Sequence, residues 1–327
     1  MKIYQPDYYD KFQCTASKCP MTCCMQWRIA VDDETFHKWD DEWKEKVKKV
    51  EEGCIIELKN DGMCPFLNEK KLCKIVLRDG EGAISETCHT FPREEHEYIG
   101  RVERALTPGC PAVLDLLWKQ EGFQKKEEQM EGIAEEIYEI NPVLFEIRDW
   151  FLDIVNTREI KLNTTLEICF LIALDLYELE QKGVLEDEFQ SYKNTTDIWK
   201  IQKAIGENYT ITEERLEEYN LLFLDVSQIY REQNIYGDFL VPLAEEAEKI
   251  NGKETECFKT YQHKINKWAK ELRNLFAEEI SSAIITPGTG QVLDILVKLE
   301  WMAMEYAVLS QALFLQQRKG ELTDKKI

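Results

Sequence analysis

No two cysteines of this 327-residue chain stand in the spacing CxxC, although it has eleven of them. That absence excludes an ordinary zinc ribbon, which presents two such pairs. A bilayer-spanning run is missing as well: the most apolar stretch, Ile168 to Leu176, is far short of the roughly 20 residues needed and contains Asp175. The opening MKIYQPDYYDKF is polar and aromatic and lacks the basic and apolar regions of a secretory signal. There is no internal repeat of fixed period and no low-complexity tract. These absences predict a cytoplasmic chain with no membrane partner and with reduced thiols. In a reducing compartment a dense cysteine set reads as metal ligands before it reads as disulfides.

Basic charge is in short supply too. The 41 Lys and Arg residues face 62 Asp and Glu residues, a net charge of -21, which repels a phosphate backbone and an anionic membrane surface. Nucleic acid is therefore not expected as a partner. A field of that sign favours a cationic partner such as a lysine-bearing protein, or else it is a solvated acidic surface that aids solubility. At 44% hydrophobic residues the chain can bury an ordinary core, and its length suits about two domains.

What is present in abundance is thiol. Eight of the eleven cysteines form a series within the first 110 residues: Cys14, Cys19, Cys23 and Cys24, then Cys64, Cys73, Cys88 and Cys110. Soft thiolates select zinc, copper(I) or iron-sulfur clusters over magnesium or calcium. On a helical turn Cys19 and Cys23 would share one face while Cys23 and Cys24 diverge by about 100°, so one site is not expected to use both neighbours. Cys64 and Cys110 each precede a proline, which stiffens the loop that carries them. Cys54, Cys169 and Cys257 sit among apolar neighbours and read as small core residues.

The fold class expected is mainly α: a loop-rich cysteine-cluster region with a few short strands at 1–120, then an irregular all-helical domain at 121–327. Gly and Pro punctuate the first part, in GMCPF, RDGEG, HTFPRE and LTPGCPA. An early helix is expected after the Asp32-Asp33 cap, running through Trp39 and Trp43. Strands are expected at Cys54–Leu58, Leu72–Leu77 and Tyr98–Leu106, with a turn at Asn68–Lys71. Helices are expected at 125–140, 142–156, 164–182, 186–205, 212–233, 238–250, 254–282 and 289–318. Pro142 opens the second of these, and Thr212 and Thr286 mark two further starts. Gly320 closes the last, and Leu322-Thr323-Asp324 resembles the cap of another helix, so the end is read as a frayed tail or the boundary of a longer chain.

In order along the chain, FQCTASKCPMTCCMQWRIAVDDETF, CPFLNEKKLCKI, SETCHTFPR and LTPGCPAVLDLL resemble the flagellin lysine-N-methylase family, whose front end carries a zinc- or iron-chelating cysteine region. The resemblance covers about residues 1–120; beyond it the family is matched only in helical character, and its closing segment is missing after Ile327. The resemblance implies methyl transfer from S-adenosylmethionine to lysines of flagellin, with a 4Fe-4S cluster held by cysteines. Cys14, Cys19, Cys23, Cys24, Cys64, Cys73, Cys88 and Cys110 are the positions carried over, of which one cluster needs four.

Lysine methylation needs a neutral amine, so a site must desolvate the amine or accept its proton. Near the cysteines the eligible groups are His89, Arg93, Glu94, Glu95 and His96. His89 is a candidate proton acceptor or neighbour of the metal ligands, against the reading of a plain loop histidine. Arg93 suits the carboxylate of S-adenosylmethionine, against an ordinary salt bridge. Trp27 and Phe91 offer rings to adenine or sulfonium, against simple packing. The glycines of Thr286-Pro287-Gly288-Thr289-Gly290 superficially suggest a nucleotide turn, but their helical surroundings make them a loop between helices. Two other classes remain open: a cluster-binding module without chemistry and a structural zinc protein.

Overall fold

The computed structural model describes residues 1–25, 27–129, 138–208, 212–233, 236–250 and 254–322. The chain divides into two compact units. Residues 1–7, 96–103 and 117–327 form the larger, and 8–95 with 104–116 form the smaller.

Strand β1 (Lys2–Pro6) opens the chain and belongs to the larger unit. In the smaller unit β2 (Ala30–Val31) leads into α1 (Asp33–Lys38) and α2 (Asp41–Lys44). The single early helix expected is thus two short ones. Asp40 stops the first and caps the second by accepting the Trp43 amide at 3.2 Å, the local bond by which Asp competes with a continuing helix. Strands β3 (Val47–Val50) and β4 (Gly53–Ile56) complete a three-stranded antiparallel sheet of order β2-β4-β3. Gly53 enters it at φ 130°, a backbone closed to side chains.

The strand expected at Leu72–Leu77 is instead α3 (Lys74–Asp79). The turn before it is real: Asn68 Oδ1 accepts the Lys70 and Leu72 amides, Lys71 takes φ 57°, and Leu67 faces Cys73 in one antiparallel bridge. Beyond that bridge the chain coils to bury Ile75, which a short apolar run permits as readily as a strand. Helix α4 (Glu86–Thr90) follows. Two strands, β5 (Arg93–Tyr98) and β6 (Arg101–Leu106), replace the one expected at Tyr98–Leu106; the chain turns between them at Gly100, φ 78°. Helix α5 (Pro111–Lys119) comes next.

The sheet of order β5-β6-β1-β7 is completed by β7 (Lys125–Gln129), antiparallel to β1 with Lys2 opposite Gln129 and Pro6 opposite Lys125. A helix was expected from 125. The open edge of β1 recruits these helix-forming residues as a strand, tertiary pairing overriding propensity. The rest of that expected helix falls largely on 130–137, outside the described residues, and Tyr138 pairs with Tyr98 in a parallel bridge.

The remainder is helical. Helix α6 (Pro142–Asn156) starts at Pro142, as expected, and is capped by Asn141. Then come α7 (Leu162–Gln181), α8 (Leu185–Thr195) and α9 (Ile198–Asn208). The last two replace one expected helix: Thr196 Oγ1 bonds back to Tyr192 O at 2.7 Å, and Asp197 caps the next start through Lys200 N. Helices α10 (Glu213–Glu232), capped by Thr212, and α11 (Gly237–Ala247) follow. The expected 254–282 helix is α12 (Thr255–Ile265), a 3-10 turn at Asn266–Trp268, and α13 (Ala269–Ala283). Finally α14 (Val292–Arg318) begins not at Thr286 but with a reciprocal cap between Gln291 and Asp294. Thr286 to Gly290 is a loop, as read from the sequence, closed by Thr286 N donating to Thr289 Oγ1 at 3.0 Å. Gly320 ends α14 at φ 72°, and the cap expected over Leu322–Asp324 lies partly outside the described residues. The architecture is mainly α, and no described helix is long and apolar enough to cross a membrane.

Each unit has its own core. In the larger, Ile147 and Phe151 of α6, Ile168 and Cys169 of α7, Phe276 and Ile280 of α13 are fully buried. Arg148 is buried with them and makes two bonds to Glu103, at 2.9 and 3.2 Å, and two to Asp149, at 2.9 and 3.1 Å. Lys125 reaches Asp149 at 2.9 Å, so β6, β7 and α6 are held by one charge network. Burial would raise the Glu103 carboxyl, but Arg148, Lys125 and Arg101 outweigh it and hold it low. In the smaller unit Trp39 and Trp43 each meet Phe66 edge to face at 5.4 Å. Their indole nitrogens donate to Ala83 O and Asp79 Oδ2 at 2.6 and 2.8 Å.

Candidate metal centre

All eight cysteines of the series lie in the smaller unit. Two backbone pairings gather three of them, and a short helix brings a fourth. The Cys64 amide donates to Cys24 O at 2.8 Å beside a Met25–Met63 bridge. The chain after Cys64 then folds back on itself: Leu67 N reaches Cys64 O, Lys74 N reaches Phe66 O at 2.7 Å, and Cys73 faces Leu67. Cys88 is delivered by α4, whose start is held by Asp32 Oδ2 accepting the Glu86 amide at 2.9 Å. Cys24, Cys64, Cys73 and Cys88 all pack on the core of Trp39, Trp43, Phe66 and Ile75. Cys64 is near enough to Cys24, Cys73 and Cys88 for a charge on any of them to raise it. Cys88 senses Cys24 and Cys73 in the same way.

A second set is nearer solvent. Cys110, buried at the start of α5, senses Cys19 and Cys14. Cys14 is exposed and accepts the Ala16 amide at 3.4 Å, and the Cys19 thiol donates to Met21 O. Cys23 senses Cys24, Cys14 and Cys88 and so stands between the two sets.

The expectation that neighbouring Cys23 and Cys24 point apart is overturned. Residues 19–24 are bends and a turn, not a helical turn, and the Cys23 thiol donates to the Cys24 sulfur. That bond sets the order of ionisation. It brings Cys24 down to about 6 against the opposing effect of burial, with help from Thr22, and pushes Cys23 up. Burial pushes Cys64 up to about 12 and Cys88 to about 11, the latter opposed by the nearby Ser85 hydroxyl. Ser85, 1% exposed, went unnoticed in the sequence, although a Ser three residues before a cysteine on a helix start was a readable signal.

The donors are all soft thiols, which suits zinc, copper(I) or iron-sulfur chemistry. One tetrahedral zinc ion, with Zn–S about 2.3 Å, draws its sulfurs to about 3.8 Å from one another. Among the described residues no three His, Cys, Asp or Glu side chains converge that tightly.

The other singled-out residues lie around this group in different ways. His89 is exposed on α4, one residue after Cys88, and its amide donates to Ser85 O. Arg93 is exposed with its guanidinium 4.9 Å from the Phe12 ring centre, an aromatic rather than an acidic neighbour. Trp27 and Phe91 meet edge to face at 4.8 Å, and Trp27 remains 37% exposed, so its packing is onto a surface partner and not into the core. Glu94 accepts from Thr107 Oγ1 and Glu95 pairs with Arg104, while His96 belongs to the larger unit. Of the remaining cysteines Cys169 is fully buried and Cys54 packs on the small core, as expected. Cys257 is exposed: it sits on the outer side of α12 while its neighbour Phe258 takes the core.

Over 124 residues, 34% of its length, the chain is 31% identical to the flagellar biosynthetic protein FliU of Salmonella muenchen, of which it covers 73%. The chain belongs to the flagellin lysine-N-methylase family. Two proteins named lysine-N-methylase, from Salmonella typhimurium and Salmonella choleraesuis, are also 31% identical over 124 residues. The chain covers 31% of the length of each, so it spans about a third of these family members. No family model and no solved structure matches it.

Proposed function

We propose that this chain serves lysine methylation of flagellin, with S-adenosylmethionine as methyl donor and with Cys24, Cys64, Cys73 and Cys88 holding a 4Fe-4S cluster. The observation that carries the metal half is the sharing of one small core by four thiols within reach of each other's charge. The methylation half rests on the family and on its members' names. A bound cluster supplies a rigid inorganic tie between four separate loops. In the chain's own chemistry the hydrogen bond from Cys23 favours the thiolate of Cys24, the form in which a cysteine binds metal. An acidic chain attracts a lysine-bearing substrate from a distance.

The test is made on protein purified without oxygen. Iron and sulfide near four each per chain, with absorbance near 400 nm, are expected, while stoichiometric zinc in a colourless sample would remove the cluster. Incubation with S-adenosylmethionine and flagellin should add methyl mass to lysines. Flagellin of unchanged mass in the presence of fully loaded protein would leave a cluster-binding module without chemistry.

A further inference from the structure

The larger unit contains a cavity of about 850 Å³ that neither the cysteines nor the family match explains. Its size is that of a nucleotide-class ligand pocket and exceeds what one amino-acid side chain fills. The interior is aromatic: Phe170 from α7, Tyr219 from α10, Phe258 and Tyr261 from α12 and Tyr306 from α14. Phe258 lies 5.4 Å from Tyr261 and 6.3 Å from Tyr219, and Phe276 braces Tyr306 edge to face at 5.0 Å. Tyr261 is fixed by a 3.2 Å hydrogen bond with Ser310. Phe258 and Tyr261 are buried in the cavity wall, while Phe170, Tyr219 and Tyr306 are partly exposed.

Charges of both signs ring this aromatic interior. Lys161 and Lys259 stand on the side of the α7 start and α12, and Glu167 and Glu300 on α7 and α14. The first residues of α7, Lys161 to Asn163, add the positive end of a 20-residue helix. Lysines and a helix start suit a carboxylate. The glutamates suit an ammonium, and the rings suit a purine and a sulfonium. A lone lysine side chain would use the glutamates and leave the basic half of the rim idle.

We propose that this cavity binds an adenosyl amino acid, the methyl donor of the function proposed above, on which this assignment rests. The purine lies among Tyr219, Phe258 and Tyr306, and the zwitterionic end meets the charged rim.

The experiment is photo-crosslinking of S-adenosylmethionine to the full chain, with the labelled peptide mapped by mass spectrometry and affinity measured by calorimetry. Label on α12 or α14 is expected. Ala303→Trp, which places an indole in the mouth at an exposed lining position, should weaken binding at least tenfold with an unchanged melting temperature. Glu300→Lys should weaken it severalfold in the same direction. Unchanged affinity in Ala303→Trp, or label on the peptides of Trp27 and Arg93, overturns the cavity and leaves the methyl-donor reading standing. Absence of binding by the wild-type chain overturns both. Affinity for a methylated-lysine peptide in place of S-adenosylmethionine also overturns the assignment.

Discussion

The two units keep their folds by opposite means. In the smaller, one cluster of nine buried residues is built on Trp39, Trp43 and Phe66, and Cys24, Cys73 and Cys88 are among the side chains packed against it. In the larger, whole helix faces are apolar, and the fully buried Arg148 is partnered by Glu103 and Asp149. On the proposed reading, thiols binding a metal would add cohesion around this cluster. The larger unit's one fully buried cysteine, Cys169, lies on an interior helix face.

The largest effect should come from breaking the smaller unit at its metal. Chelation of iron from anaerobic protein is expected to raise hydrogen exchange throughout 8–95 while amides of α6, α7, α13 and α14 stay protected. Cys64→Ala and Cys88→Ala should each lose most bound iron, and Cys169→Ala should keep it. Equal loss in all three would mean that thiol burial and not ligation holds the metal.

The reverse break comes next. Arg148→Met removes the fully buried partner of Glu103 and Asp149, which keep Arg101 and Lys125, so the cost should fall below the about 3–5 kcal/mol of breaking an isolated buried pair. The larger unit should melt earlier, and iron content should not change. A joint loss of iron would show that the units are not independent in stability.

A pH effect of intermediate size belongs to the larger unit alone. Burial, and then the charge of Glu305, push Glu279 up to about 8 from an ordinary 4.5. The folded state therefore holds a proton that the unfolded chain releases, and stability contributed below pH 4.5 is lost as pH rises to about 8. Glu279→Gln should match the wild type at pH 5 and melt a few degrees higher at pH 8.5, at about 2–4 °C per kcal/mol for a unit of this size. Parallel melting curves for the two proteins at every pH would remove Glu279 from this role.

What could be read from the sequence was short-range. Asp32, Asn141-Pro142, Thr212 and Gly320 mark element ends by chemistry that spans a turn, and each does so in the structure. β7 was unreadable because Lys125 to Gln129 are helix formers made into a strand by β1, from the other end of the chain. The cysteines were legible as a set, since soft ligands at such density have few other uses. Their grouping was not, because it depends on Cys24 meeting Cys64 across an intervening sheet. Tyr219, Tyr261 and Tyr306 come from three helices, and each looks like a core residue in its own segment.

The smallest effect joins a legible feature to an illegible one. Asp32 was readable as the cap of α1, and its Oδ1 does accept the Thr35 amide at 2.8 Å. Its other oxygen accepts the Glu86 amide at 2.9 Å and so caps the short helix that carries Cys88. Burial would raise this carboxyl, but the amides of Glu86 and Thr35 together hold it below its ordinary range. Its contribution is therefore present at neutral pH and is lost as pH falls through that lowered value. Asp32→Ala should cost about 1 kcal/mol or less, given that the group is partly open to solvent. Because α4 loosens with α1, iron should pass to a chelator a few times faster than from the wild type, with the starting iron content intact. An unchanged rate would confine Asp32 to α1 and leave Cys88 positioned by its packing on the small core alone.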